Sequence, residues 1–208
     1  MTSAANLILK AKDPILEKII ATIPEPKTES TNDVFFDLMS CILEQQIHYR
    51  STKRIFQKML ERADLQTLTL NNFEDFEKKA FVNTKFSSNK YETILATLDF
   101  FNTNKIEWKT LSDAEISAQL SSIKGIGKWT IDMILLYTLQ RPDVFPYDDF
   151  HLKEIMVKLY NLDPNVKLKA QMIAISNDWG EHKSLAVRYL LDWKTFNKKT
   201  SSAQNFME

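Results

Sequence analysis

The chain has 208 residues, 44% of them hydrophobic, and no formal net charge, enough for one compact domain or two small lobes around a real core. It has no apolar run of about eighteen residues, and its N-terminal stretch lacks a signal peptide's apolar core and cleavage pattern, so neither a membrane span nor a secretory leader is expected. The single cysteine, Cys41, fits a reducing compartment and excludes both an internal disulfide and a four-cysteine iron–sulfur cluster, while neutrality argues against DNA binding by bulk charge but not against a local grip on a few phosphates.

Only three glycines, many Leu, Ile, Lys and Glu, and little strict alternation imply an all-α fold. There is no internal repeat or low-complexity segment, and a single domain over 1–208 is expected. A first amphipathic helix is predicted over 5–22, with Pro14 inside the pattern as a break point. Residues 23–32 (IPEPKTESTN) read as a loop. A second helix over 33–46 carries Phe35, Phe36, Leu38, Met39, Ile42 and Leu43 and ends in Glu44-Gln45-Gln46-Ile47-His48. A helix over 49–62 follows, with Arg50, Lys53, Arg54, Lys58 and Arg62, a run that faces either phosphate or solvent. A short acidic helix is predicted over 72–81. Ser87 or Ser88 then caps a helix that runs to Phe101.

The stretch from Leu120 to Leu152 carries the chemistry. A helix over 113–122 opens with Ser112 and Glu115 in capping-box spacing. Gly125-Ile126-Gly127 makes a turn in which Gly125 supplies the left-handed residue that ends a helix. A second helix is predicted over 128–140. Its first N–H groups have no partner inside the helix, and the helix dipole adds positive potential there. That is an anion site suited to a nucleic-acid phosphate. Taken alone, a Gly-x-Gly turn is equally an ordinary helix corner. A proline-punctuated loop then leads to Asp148 and Asp149, at the start of a helix over 150–160. A helix follows from Asp163-Pro164-Asn165 to about Trp179, and the polar tail from Lys198 is expected to fray. Asp148, Asp149 and His151 do not share a helical face, which argues against a catalytic metal.

The line Ile123-Lys-Gly-Ile-Gly-Lys-Trp-Thr-Ile-Asp-Met, followed by Asp143-Val-Phe-Pro-Tyr-Asp-Asp-Phe-His-Leu, closely resembles the helix-hairpin-helix (HhH-GPD) DNA glycosylases. Within them it is similar to the 3-methyladenine DNA glycosylase II type. The family pattern is Leu-Pro-Gly-Ile-Gly-x-Trp-Thr-Ala, with Pro-x-Asp-Asp about twenty residues on. The resemblance covers roughly 30–195. It departs at Lys124, where the family has proline, at Lys183, where it has arginine, and at Leu191, where it often has tryptophan. Trp193, on another helical face, is not assumed to substitute.

The resemblance implies two helical lobes with an active cleft between them and a monofunctional base-excision enzyme. Asp149 is the implied catalyst, with Asp148 expected to serve stability more than chemistry. Trp129, Phe35 and Tyr147 are the implied base-pocket residues. Gly125, Gly127, Lys128, Thr130, Gln46, His48 and Lys183 are implied to meet DNA, Gln46 and His48 by filling the gap left by the flipped base. A monovalent ion on the carbonyls of Ser121, Ile123 and Ile126 is implied as well; no other cofactor is. The expected partner is double-stranded DNA with a damaged base, the expected state a monomer away from membranes, and the compartment the cytoplasm or a nucleus. A non-catalytic DNA-binding module and a glycosylase for another lesion are the alternatives.

Overall fold

The structure is a computed structural model that describes residues 3–44, 53–82 and 84–204. These residues form eleven α-helices and no strand. The all-α expectation is met, and no described helix is long and apolar enough to cross a membrane. The chain groups into a central unit, residues 30–139, and a terminal unit, residues 1–29 together with 140–208.

The central unit is built on α3 (Val34–Leu43), which follows α1 (Ala4–Lys12) and α2 (Pro14–Thr22) of the other unit. Asp33 caps α3 by accepting the Phe36 N–H at 2.9 Å. Nine of its ten residues are buried, as expected of a helix that is apolar nearly all round. α4 (Lys53–Ala63) and α6 (Ser88–Thr103) pack on it, α5 (Phe73–Ala80) packs on α4, and α7 (Asp113–Ser121) completes the unit's helices before the hairpin. Phenylalanines tie several of these together edge to face. Phe56 meets Phe76 at 6.1 Å, Phe76 meets Phe81 at 5.6 Å, and Phe35 meets Phe101 at 5.4 Å. Such pairs contribute about 0.5–1.5 kcal/mol each beyond area burial.

The helix predicted over 128–140 is not one regular helix. Its α-helical part, α8 (Lys128–Met133), passes into a π-helical turn, Ile134–Thr138, closed by Leu139 N–H donating to the Ile134 carbonyl at 2.9 Å. Buried polar groups hold the widened turn. The Thr138 hydroxyl donates to Asp37 Oδ2 at 2.7 Å, the Thr31 hydroxyl donates to the same oxygen at 2.6 Å, and the Ser30 hydroxyl donates to the Thr138 carbonyl. Gln140, at φ 52°, turns the chain out of the helix.

In the terminal unit the first predicted helix breaks at Asp13. This one carboxylate collects four donors. Oδ1 accepts the N–H groups of Ile15 at 2.8 Å and Leu16 at 3.0 Å, and Oδ2 accepts the Tyr160 hydroxyl at 2.6 Å and the Trp179 indole N–H at 2.8 Å. Burial, and then the Asp13 carboxylate, push the Tyr160 phenol well above its ordinary range. Tyr160 ends α9 (Phe150–Tyr160) and Trp179 lies in the turn just after α10 (Leu168–Asn177), and α11 (Lys183–Gln204) packs on α9 and α2. Leu9, Leu16, Met156, Met172, Trp179 and Leu190 form the fully buried centre.

One further expectation needs correction. The helix expected from Asp163 starts only at Leu168, because Gln171 turns back to bond both the N–H and the carbonyl of Asp163 and holds 163–167 as a turn. The last helix, α11, is described as far as Gln204.

Candidate functional site

The hairpin begins where the sequence places it. The capping box at Ser112 is complete, with Ser112 N–H donating to Glu115 Oε2 at 2.8 Å and Glu115 N–H donating to Ser112 Oγ at 3.3 Å. These bonds hold the Glu115 carboxyl below the usual carboxylate range. After α7 the Ile126 N–H bonds the Ile123 carbonyl at 3.1 Å. The two glycines have different jobs. Gly125 sits at φ +89°, and a Cβ there would lie 2.0 Å from the Thr93 hydroxyl oxygen, so backbone and packing both demand glycine. Gly127 has φ −97° and ψ 171°, a conformation open to any residue, and a Cβ there would meet nothing within 4 Å. Nothing inside the protein requires glycine at 127. The bare surface instead lets an external group come close to the start of α8, where Gly127 gives no side-chain cap.

On α8, Lys128 lies against Asp132 one turn on, with Nζ at 2.7 and 2.8 Å from the two carboxylate oxygens. Trp129 is half-buried, and Thr130 is buried, leaving its backbone N–H rather than its side chain for any external contact. Phe35 is buried against Phe101 in the core of the central unit. Lys124 pairs with Glu92 at 2.6 Å on the surface. The carbonyls of Ser121, Ile123 and Ile126 are neutral oxygen donors of the kind a monovalent cation takes, and the Ile123 carbonyl keeps a second lone pair beside its bond to Ile126. Among the described residues no group of three or more His, Cys, Asp or Glu is arranged to hold a metal ion.

Asp149 and Asp148 belong to the terminal unit, and the structure separates them. Asp149 is 8% exposed and is the N-cap of α9, its Oδ1 accepting the Leu152 N–H at 2.7 Å. Asp148 is exposed, 3.4 Å from Lys153. The cap of α9 is therefore Asp149 and not Asp148. The loop before them is fastened from α11. The Ser184 hydroxyl donates to the Arg141 carbonyl at 2.6 Å and accepts the Val144 N–H at 3.0 Å, and Ser184 N–H donates to the Pro142 carbonyl at 3.0 Å. Lys183 bonds Asp143 Oδ1 at 2.5 Å and the Gly180 carbonyl at 3.0 Å, so its ammonium also serves the loop. The ammonium of Lys169 lies 3.9 Å over the Tyr147 ring. Leu191 is buried, and Trp193 stacks on Phe196 at 5.9 Å.

Gln46 and His48 lie outside the described residues. Both flanks of their segment are anchored, by signals a pattern search passes over. Glu44 Oε1 accepts the Phe56 N–H at 3.1 Å, and Lys90 Nζ donates to the Leu43 carbonyl at 3.3 Å. Burial pulls the Lys90 ammonium below its ordinary range. Phe150 was also missed. It directly follows Asp149 and is 70% exposed, an unusual cost for a phenylalanine beside a buried carboxylate. Its position after the Asp pair was the available signal.

Comparison with known proteins follows the same line. The family model described as HhH-GPD superfamily base excision DNA repair protein matches residues 39–181. A DNA-3-methyladenine glycosylase of Schizosaccharomyces pombe is 26% identical over 185 residues, which is 86% of this chain and 80% of that one. A putative DNA-3-methyladenine glycosylase of Bacillus subtilis is 27% identical over 176 residues, 78% of this chain and 58% of that one. Among solved structures, a Schizosaccharomyces pombe 3-methyladenine DNA glycosylase in complex with abasic DNA shares the fold at TM-score 0.78 and 23% identity, covering 91% of this chain and 95% of that one. A DNA-3-methyladenine glycosidase of Bacillus halodurans shares it at TM-score 0.73 and 22% identity, covering 91% of this chain and 88% of that one.

Proposed function

The chain belongs to the HhH-GPD superfamily of base excision DNA repair proteins, and from that membership we propose that it is a monofunctional DNA glycosylase for alkylated purines such as 3-methyladenine and 7-methylguanine. The observation that carries the proposal is a pair of features on one motif: a glycine with an open face at the start of α8 and, twenty-two residues on, a buried carboxylate at the start of α9.

The partner is double-stranded DNA. The hairpin grips one phosphate through backbone N–H groups at Gly127, Lys128 and Trp129, a contact that positions the protein without reading sequence. A monovalent cation on the Ser121, Ile123 and Ile126 carbonyls would add positive charge for that phosphate. Duplex DNA hides the glycosidic bond, so the damaged nucleotide is flipped out. Gln46 and His48 fill the gap. An alkylated purine is cationic, and the indole face of Trp129 attracts it. The exposed ring of Phe150 offers a second stacking surface beside Asp149. As the base leaves, positive charge develops on the sugar. The Asp149 carboxylate stabilises that charge electrostatically, and its cap bond fixes its orientation without neutralising it. Water takes the sugar, and the strand stays intact.

No residue here is proposed as an amine nucleophile. Trp129 stands where lyase relatives of this superfamily carry lysine, and the ammonium of Lys128 is held by Asp132. The test is release of free purines from methylated duplex DNA, followed by alkaline and borohydride arms. Bases released, strands cut only after alkali and no trapped adduct are expected. An adduct lost in Lys128→Ala would make Lys128 a nucleophile, and absence of any base release would leave a DNA-binding module.

A further inference from the structure

The start of α9 carries three consecutive groups that the proposed mechanism uses or adjoins: Asp149 at the cap, Phe150, and His151. Lys194 ties that turn to α11. Lys194 is 9% exposed, low for a lysine. Its Nζ lies 2.7 Å from His151 Nδ1 and donates to Glu154 Oε2 on the next turn of α9. It also stands 6.0 Å over the ring of Phe150, which itself meets His151 edge to face at 5.2 Å.

A charged lysine taken out of water gains little net stability from such pairing, and a well-packed apolar side chain of like size would serve the fold as well or better. What an ammonium does and a methyl group does not is fix orientation. By donating to His151 Nδ1 it requires that nitrogen to be unprotonated, which places the ring proton on Nε2 and fixes the ring. By donating to Glu154 in addition, it fixes the rotation of α9 about its axis at the end where Asp149 sits. We infer that Lys194 is a positioning residue for base release, a clamp that sets the Asp149 carboxylate and the Phe150 ring through His151 and Glu154. This rests on the glycosylase assignment above, with Asp149 as the group that meets the substrate.

The experiment compares wild type, Lys194→Met, Lys194→Arg and Glu154→Gln in single-turnover base release, in affinity for abasic-site duplex and in thermal melting. Nitrogen-15 shifts of His151, assigned against His151→Asn, are read on the free protein. The expected result is an unprotonated Nδ1 in the wild type and a release rate about a hundredfold lower in Lys194→Met, the scale of an ångström of misplacement. Affinity and melting temperature should hold, with much of the rate recovered in Lys194→Arg. A Lys194→Met protein that releases bases at the wild-type rate overturns the clamp, and so does one whose rate, affinity and melting temperature fall together. If that variant does not fold, Glu154→Gln decides by rate alone, since Glu154 is half-exposed and the change is isosteric. A wild type that releases no base sinks the glycosylase assignment, whereas a proton on His151 Nδ1 at neutral pH sinks the clamp whatever the activity.

Discussion

Replacing Gly127 with alanine tests whether its open face belongs to a ligand. The backbone at φ −97° accepts alanine, and the new Cβ meets no atom within 4 Å. At an N-cap, alanine is worse than glycine by a few tenths of a kcal/mol or somewhat more. Reduced freedom of the unfolded chain returns about 0.4–1 kcal/mol. Stability should therefore change by no more than about 0.5 kcal/mol, or roughly 1–2 °C in Tm for a chain of this size. Binding should behave differently. A methyl group on that face keeps a phosphate from the first N–H groups of α8, and a hydrogen bond to a charged group contributes about 1.5–3 kcal/mol. Affinity should fall about ten- to a hundredfold, equally on damaged and undamaged duplex, and the slope of log affinity against log salt should shrink by about one phosphate, near 0.9. Fluorescence anisotropy across a salt series, beside thermal melts, measures both. Gly125→Ala is the control. Its φ of +89° and the 2.0 Å approach to Thr93 Oγ1 should cost stability first, by about 1–2 kcal/mol from the backbone alone. If Gly127→Ala binds DNA as tightly as the wild type, or loses stability as Gly125→Ala does, the inference from the empty face is wrong.

Asp149→Asn keeps the cap in place and removes the charge, so base release should fall by about 10²–10³ while DNA affinity survives. Asp148→Asn, at an exposed site 3.4 Å from Lys153, should change both little, and a reversed pair of results would move the catalyst to Asp148. The Tyr160 phenol is raised from its ordinary value of 10.0 by burial and by Asp13. The folded state therefore keeps a proton that the unfolded chain loses above about pH 10, and stability that is complete below that pH should decline above it by up to about 1.4 kcal/mol per pH unit. Urea melts between pH 8 and 11 on wild type and Tyr160→Phe measure this share, and equal slopes would show that Tyr160 contributes none of it.

Much of the fold was legible because helix starts are local events. Ser87 and Ser112 cap helices predicted from those residues, Asp33 and Asp149 cap helices predicted to start beside them, and the break before Pro14 follows from the proline itself. What stayed hidden depends on distant partners. The π turn at Ile134–Thr138 is held by Asp37 and Ser30, about a hundred residues upstream, and no periodicity in 128–140 announces it. Nothing local marked Asp13, whose bonds to Tyr160 and Trp179 cross nearly the whole chain. At the candidate site, the motif picked out Asp149 and both glycines. It did not tell Asp149 from Asp148 by burial, nor a structural Gly125 from an open Gly127. Lys128 and Lys183 were assigned to DNA from the resemblance. Their bonds to Asp132 and Asp143 depend on side-chain geometry that spacing does not encode.

The division of the chain bears on how it is made. Residues 30–139 are a continuous segment, whereas the terminal unit is assembled from two separate stretches, residues 1–29 and 140–208. On a ribosome the central unit has all its parts once its last helix emerges. Residues 1–29 leave the ribosome first and must wait for 140–208, at usual synthesis rates for roughly ten to thirty seconds. During that time Leu9, Leu16 and Ile19, all buried in the finished protein, have no core to enter, and Asp13 has neither Tyr160 nor Trp179 to bind. The nascent N-terminal helices are thus the segment most in need of a chaperone, and a ribosome stalled before α9 would hold a finished central unit with an apolar leader still exposed.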